Sequence, residues 1–225
     1  RTPRLDHLLP EDGDAMRAFR DCCRASIPLR RAGDFQMADA VVSHALSIAA
    51  AHGMVAPQCI ATDTLASSAF EQGRIHTAKE LWESALRLAA SVDPSETANS
   101  VSYVGVRIAL ALGDVVFARS CLPSTETAVR GDTSLRRRIE GLAAHLALAV
   151  ADEDRLCASR LVPLLLADHA HARAFGGQDF ATAVLGHAMQ MLGRGDEAAT
   201  LLTEYIGSYR REKSILPHYF TSTVT

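Results

Sequence analysis

Histidines and cysteines are the residues of this chain whose chemistry could support a metal or redox centre. His169 and His171 are separated by one alanine, and residues i and i+2 of a helix point to different faces, so the pair is poorly placed to chelate one ion. The five cysteines include no CxxC pair, and free cysteine commonly behaves as a small buried hydrophobe. We therefore expect structural or solvent-exposed roles for His169 and His171, and core thiols at Cys121 and Cys157, rather than a metal or redox site.

The motifs that usually carry catalysis are not recognisable in the sequence. Gly176-Gly177 lacks the Lys and Ser/Thr of a phosphate-binding loop, and the nine histidines stand in no partner motif. The cluster Arg136-Arg137-Arg138 could contact phosphate or an acidic partner, although a solvated helix face is the favoured interpretation. We expect neither an enzyme nor a bound cofactor.

Composition favours an all-α protein in a reducing compartment. The 225 residues are 48% apolar but only 5% aromatic, and the abundance of Ala and Leu favours closely packed helices over strands. A net charge of −3 gives no general attraction to nucleic acid or anionic membrane. No apolar run is long enough for a bilayer span, and the start RTPRLDHLLPEDGD has no signal-peptide core. We expect a cytoplasmic protein, and the initial Arg in place of Met is consistent with a fragment of a longer chain.

A 40-residue repeat organises the helices that position these residues. A glycine precedes an alanine by five positions in four copies, and a fifth copy has Glu153 at the glycine position. The pairs are Gly33/Ala38, Gly73/Ala78, Gly113/Ala118, Glu153/Ala158 and Gly193/Ala198. A fixed period of this length is typical of solenoids or arrays.

Each copy is predicted to be two antiparallel helices joined at the glycine. Apolar residues recur at helical spacing after the alanine in four copies, whereas Pro123 interrupts the third, whose second helix should end early. Pro28 and Pro163 should bend their helices. A glycine at the internal turn suits the left-handed conformation that ends a helix. The predicted organisation is an extension 1–12, five helix pairs, and a tail 212–225; the pairs cover about 13–53, 54–93, 94–133, 134–175 and 176–211.

The stretch GRIHTAKELWESAL, residues 73–86, resembles the tetratricopeptide repeat. The small residue that this family places seven positions before the glycine is Ala66 or Gly186 in two copies, but Val106 or Leu146 in two others. The usual unit has 34 residues, and the longer unit is similar in style to helical repeats of bacterial regulators, including maltose-activator-like transcription factors and sensory regions attached to diguanylate cyclases. The resemblance implies a right-handed superhelix of about five helix pairs.

The resemblance also implies a concave groove lined by the first helix of each pair. Its predicted partner-binding residues are Arg20, Arg30, Arg31, Asp63, Phe70, Tyr103, Arg107, His187 and Gln190. The same register includes Ile27, Glu71 and Phe180. Arginine and aromatic residues are frequent in binding hot spots, so a peptide with acidic and apolar groups is the expected partner. The alternative is that several of these residues only cap the surface or pack between helix pairs.

Three functions remain open at this stage. The preferred one is a protein-interaction or sensory module of a bacterial transcriptional or signalling regulator, without direct nucleic-acid or membrane binding. The second is a domain that binds a small-molecule effector and controls an attached output domain. The third is a self-associating structural repeat, for example a homodimer. The tail, which contains Pro217 and leaves the period, would be an end cap or lead to a further domain.

Overall fold

The computed structural model describes residues 13–92, 97–122, 135–172 and 179–212, and all of its regular structure in these ranges is α-helical. The helices, in chain order, are α1 Gly13–Arg31, α2 Phe35–Ala51, α3 Val55–Glu71, α4 Ile75–Ala89, α5 Thr97–Ala111, α6 Val115–Ser120, α7 Leu135–Ala151, α8 Arg155–Ala172, α9 Asp179–Met191 and α10 Gly195–Glu212. The predicted all-α class is confirmed. The extension 1–12 and the tail after Glu212 lie outside the described residues.

The chain divides into two compact units, Arg1–Val104 and Gly105–Thr225, and the division falls within α5. Unit 1 contains α1 to α4 and the first part of α5. Unit 2 contains the remainder of α5 and α6 to α10. Within each unit, consecutive helices pack against each other: α1 on α2, α2 on α3 and α3 on α4 in unit 1, and α7 on α8 and α9 on α10 in unit 2.

The internal turns have the predicted left-handed backbone. Gly33, Gly73, Gly113 and Gly193 have φ between 73° and 80°. Glu153 takes the same conformation at φ 55°, although it is not a glycine. At each of the five turns the following residue donates its amide to a carbonyl five positions earlier, with distances of 2.8 to 3.0 Å. This hydrogen bond is characteristic of a Schellman helix end, so the turn geometry is retained where its glycine is lost.

Aspartate side chains begin the second helix in three copies. Asp34, Asp114 and Asp154 follow the turn residue, and each accepts a hydrogen bond from the amide three residues later, at 2.9 to 3.1 Å. An N-cap of this kind satisfies one of the free amides at a helix start. The sequence GD or ED at these turns therefore ends one helix and starts the next.

Small residues let the two helices of a pair approach closely. The five repeated alanines, at positions 38, 78, 118, 158 and 198, have no exposed surface. In the fifth copy, a Cβ added to Gly186 of α9 would meet Leu202 Cδ1 of α10 at 3.0 Å. Trp82 of α4 is 2% exposed and lies in the core. Because the approach is so close, enlargement of these side chains would overpack the pair.

Two predictions concern helix irregularities: bends at Pro28 and Pro163, and an early end of the second helix in the third copy. Pro28 lies inside α1 and Pro163 inside α8, and both helices continue beyond them. The bends predicted there remain predictions. Helix α6 spans only six residues and ends at Ser120, so the early end predicted for this helix is confirmed. Pro123 itself lies outside the described residues.

Candidate interaction surfaces

In unit 1, two residues predicted to share the first-helix face are in direct contact. Arg30 of α1 donates through Nη2 to Glu71 Oε1 of α3 at 2.6 Å, and the side chains are 22% and 25% exposed. Ser67 Oγ lies 3.5 Å from the same carboxylate oxygen. The charge of Arg30 is therefore already compensated by a carboxylate, so a partner's acidic group would have to compete with Glu71.

The other predicted residues of unit 1 differ in accessibility. Phe70 and Tyr103 are only 3% and 6% exposed, and Asp63 is also buried. Arg20 is half-buried. Ile27, on the same register of α1, is exposed. The side chain of Arg31 lies outside the described residues. In this conformation, the aromatic rings of unit 1 contribute to packing rather than to an open surface.

In unit 2, the corresponding face joins a cation to an aromatic ring. The guanidinium carbon of Arg107 on α5 lies 5.1 Å from the centre of the Phe180 ring on α9. The register places Ala143 and Ala147 of α7 on the same face, and both are buried. A cation–π contact of this kind contributes about 0.5–1 kcal/mol at an exposed site.

His187 and Gln190 provide the open part of the face in unit 2. Both are exposed, and they follow Phe180 on α9 by seven and ten residues, a spacing that keeps all three on one side of a helix. The predicted residues of unit 2 thus form a strip that begins at the Arg107–Phe180 contact. Their imidazole, amide and guanidinium groups can all donate hydrogen bonds to a carboxylate.

Within each unit, polar contacts connect the second helix of one pair to residues beside the turn of the next pair. The sequence analysis did not predict these contacts. In unit 1, Asp39 of α2 accepts hydrogen bonds from Gln72 and Arg74, at 3.0 and 3.1 Å, and from Ser68. In unit 2, Arg119 of α6 donates to Asp152 at 2.6 Å. Asp39 and Arg119 both lie six residues after a turn glycine. Comparison of charges at that register with those beside the next turn could have revealed these contacts.

Two further contacts join first and second helices in unit 2. Arg138 of α7 forms a paired ion contact with the largely buried Asp168 of α8, which raises the pKa of Arg138. This cation had been interpreted as part of a solvated helix face, and that interpretation is wrong for Arg138 because a carboxylate from the neighbouring helix lies within reach. His169 Nε2 lies 2.7 Å from Thr182 Oγ1, and both residues are buried. The structural role predicted for His169 agrees with this contact.

Among the cysteines only Cys59 is buried, whereas Cys121 and Cys157, which were expected to be core thiols, are half-buried. Burial raises the pKa of Cys23 and of Cys59 from 9.0 to about 11, with a further contribution from Cys22 and from Asp63, respectively. Burial also raises the pKa of Cys121 and of Cys157. A thiol with a raised pKa is a poor nucleophile at neutral pH. The expectation that Cys121 and Cys157 form no redox centre remains a prediction.

In the described ranges, no set of three or more His, Cys, Asp and Glu side chains is arranged to hold a metal ion. No described helix combines the length and apolar character needed to cross a membrane. Comparison with known proteins gives no assignment, because no family model matches the chain and no curated protein matches it.

Proposed function

We propose that this chain is a protein-interaction module of a bacterial transcriptional or signalling regulator, acting in the cytoplasm. Its helix pairs would form a right-handed, tetratricopeptide-like superhelix, and the first helices would bind a peptide or protein segment in the concave groove. The expected partner segment combines acidic and apolar side chains. This function follows from the repeat resemblance and from the chemistry of the first-helix face.

The observation that carries the proposal is the contact between Arg107 and Phe180 in unit 2, 5.1 Å from guanidinium carbon to ring centre. These residues come from different helix pairs, and the 40-residue register assigns both to one face. The ring attracts the guanidinium group of Arg107 through the negative face of its π system. With the exposed His187 and Gln190 beside it on α9, the strip can attract and orient a carboxylate.

In unit 1, a second contact between residues of the predicted first-helix face supports the proposal, but here the partner of the arginine is a carboxylate. Arg30 and Glu71 also belong to the predicted face, and they lie 2.6 Å apart on α1 and α3. Because this pair is neutral overall, unit 1 offers an exposed apolar side chain, Ile27, rather than a free cation from that pair. The acidic group of a partner is expected at unit 2, where the exposed His187 and Gln190 can donate hydrogen bonds to it.

A display library of random peptides, selected on the wild-type chain, would test the proposal. We expect enrichment of peptides in which Asp or Glu lies near Leu or Phe. The double variant His187→Glu/Gln190→Glu changes exposed residues only, and it should weaken an enriched peptide by about tenfold or more, because like charges oppose each other across an interface.

The matched control is Ser159→Glu/Ala170→Glu, which adds the same charge at exposed positions of α8, a second helix. It should retain the wild-type affinity. Enrichment of basic peptides, or an equal loss of affinity in both double variants, would contradict the proposed groove. Circular dichroism of each variant establishes that the helices are intact.

A further inference from the structure

One exposed position of the repeat changes its chemistry in two consecutive copies. The residue three positions after the turn residue lies in the first turn of each second helix, and it is exposed in all five copies. It is polar in the first, second and fifth copies and aliphatic in the third and fourth; the residues, in order, are Gln36, His76, Val116, Leu156 and Asp196. Because this position faces solvent in every copy, packing within a unit does not require the large apolar side chains of Val116 and Leu156.

Val116 and Leu156 lie at one edge of unit 2. Val116 is 81% exposed and Leu156 is 64% exposed. Arg119 of α6 donates to Asp152 at 2.6 Å, an ion pair without net charge that holds α6 beside the turn from which α8 begins. Leu112, which precedes the turn of the third copy, is also exposed. We name the three aliphatic residues Leu112, Val116 and Leu156 the turn-edge patch.

The charged groups around the turn-edge patch have both signs. Glu153, Arg155 and Arg160 are exposed, and none of the three forms an ion pair in the parts of the chain that the structure describes. Asp114 and Asp154 cap the starts of α6 and α8, where a negative charge is favourable. A surface with an apolar centre and charges of both signs at its rim complements a copy of itself, whereas a strongly acidic or basic partner would meet like charges at part of the rim.

We propose that the turn-edge patch joins two copies of this chain in a symmetric dimer. In a two-fold arrangement each contact occurs twice, so Val116 of each copy packs on Leu156 of the other, and carboxylates of one rim face guanidinium groups of the other. The exposed parts of three aliphatic side chains are small compared with a standard interface, which covers about 800 Å² per partner. We therefore expect a weak, reversible dimer with a Kd of about 10–100 µM. The patch shares no residue with the first-helix strip, so this inference does not depend on the proposed function.

Sedimentation velocity of the chain from about 5 µM to about 500 µM tests the association. The average mass should rise from that of a monomer towards that of a dimer. Val116→Ser/Leu156→Ser removes two exposed aliphatic side chains and should raise the Kd by about tenfold or more. The matched control Gln36→Ser/His76→Ser changes the same position of the repeat in unit 1 and should leave the Kd unchanged. Circular dichroism establishes that the helices of each variant are intact.

Two charge variants test whether the partner is a second copy. Arg155→Glu makes the rim acidic and Glu153→Lys makes it basic, so each variant alone should dimerise more weakly than the wild-type chain because like charges meet across the two-fold axis. An equimolar mixture brings opposite charges together and should associate about tenfold more tightly than either variant alone.

A photoreactive side chain tests which residues meet. Benzoylphenylalanine in place of Val116 should give a covalent dimer on irradiation, and peptide mass spectrometry should place the link in the first turn of α8, at or beside Leu156 of the second chain. The same group in place of His76, at the equivalent exposed position of α4, should give no covalent dimer.

Any of four results would overturn the proposal. The first is a monomer throughout the concentration range. The second is an unchanged Kd in Val116→Ser/Leu156→Ser, since the dimer would then use another surface. The third is a mixture of Arg155→Glu and Glu153→Lys that associates no more tightly than its components. The fourth is a photochemical link from residue 116 that remains within one chain.

Discussion

The two units present a cation on the first-helix face in different ways. In unit 1, Arg30 meets a carboxylate, whereas in unit 2, Arg107 lies over an aromatic ring. The partner of Arg30 carries a negative charge, and the ring beside Arg107 carries no net charge. The difference shows that one structural register can position side chains of different chemistry while the helices that hold them remain alike.

The largest expected difference in stability between the two units concerns the buried residue that lies nine positions after the turn. Trp82 occupies this position in unit 1 and Val162 occupies it in unit 2, and both are buried. Trp82→Ala should cost about 3–5 kcal/mol of unfolding free energy, because it leaves a large cavity, and Val162→Ala about 1–2 kcal/mol. Urea denaturation followed by circular dichroism gives both values. Equal losses would mean that the residue at this register does not set the packing of its unit.

The positive-φ position of the internal turn holds Gly73 in unit 1 and Glu153 in one turn of unit 2. This difference should have a measurable effect on the free energy of unfolding. Gly73→Ala in unit 1 should destabilise by about 1 kcal/mol, and Glu153→Gly in unit 2 should stabilise by about 0.5–1 kcal/mol, because a side chain is costly at positive φ. A Cβ at Gly73 would meet no atom within 4 Å, so the effect is one of backbone conformation alone. Gly195→Ala, a glycine without positive φ in α10, is a useful control. A destabilised Glu153→Gly variant would show that the Glu153 side chain has a stabilising role.

The two cation contacts can be separated by their dependence on salt. Double-mutant cycles should give a coupling of about 0.5–1.5 kcal/mol for Arg30 with Glu71, and about 0.5–1 kcal/mol for Arg107 with Phe180. The first should weaken clearly between about 0.05 M and about 1 M NaCl, because a partly exposed ion pair is screened. The second should change less, since the partner ring has no net charge. The same salt dependence for both couplings would remove the proposed electrostatic difference between the units.

The smallest expected effect at neutral pH is the contribution of the Cys59 thiol to the free energy of unfolding, and this contribution changes clearly at high pH. The pKa of Cys59 in unit 1 is raised from 9.0 to about 11, so the folded state favours the protonated thiol. Its contribution to stability is complete below pH 9.0 and is lost as the pH rises towards about 11. Denaturation from pH 8 to pH 11 should show a loss that is smaller in Cys59→Ala. Native Cys59 should also react slowly with a thiol reagent at pH 8, with the urea-unfolded chain as the control for full reactivity.

Part of the candidate surface was accessible to sequence reasoning because it depends on register. Arg107 and Phe180 could be assigned to one face by their distances from the turn glycines, and so could Arg30 and Glu71. The contact partners of these residues could not be predicted, because the register assigns a residue to a helix face but does not fix the direction of a long side chain. Phe70 and Tyr103 illustrate the limit: their position in the repeat was known, whereas their burial depends on neighbours from other helices.

The sequence by itself determined the all-α class, the left-handed turns and the burial of the repeated alanines, because helix periodicity and glycine conformation are local properties. Only the tertiary structure decided that Glu153 adopts the backbone of a glycine, that Arg138 finds Asp168, and that the charge of Arg30 is compensated while Arg107 lies on a ring. These outcomes depend on which side chains of distant segments come within a few ångströms of each other. Contact chemistry of that kind is set by packing, and the spacing of residues along the chain does not encode it directly.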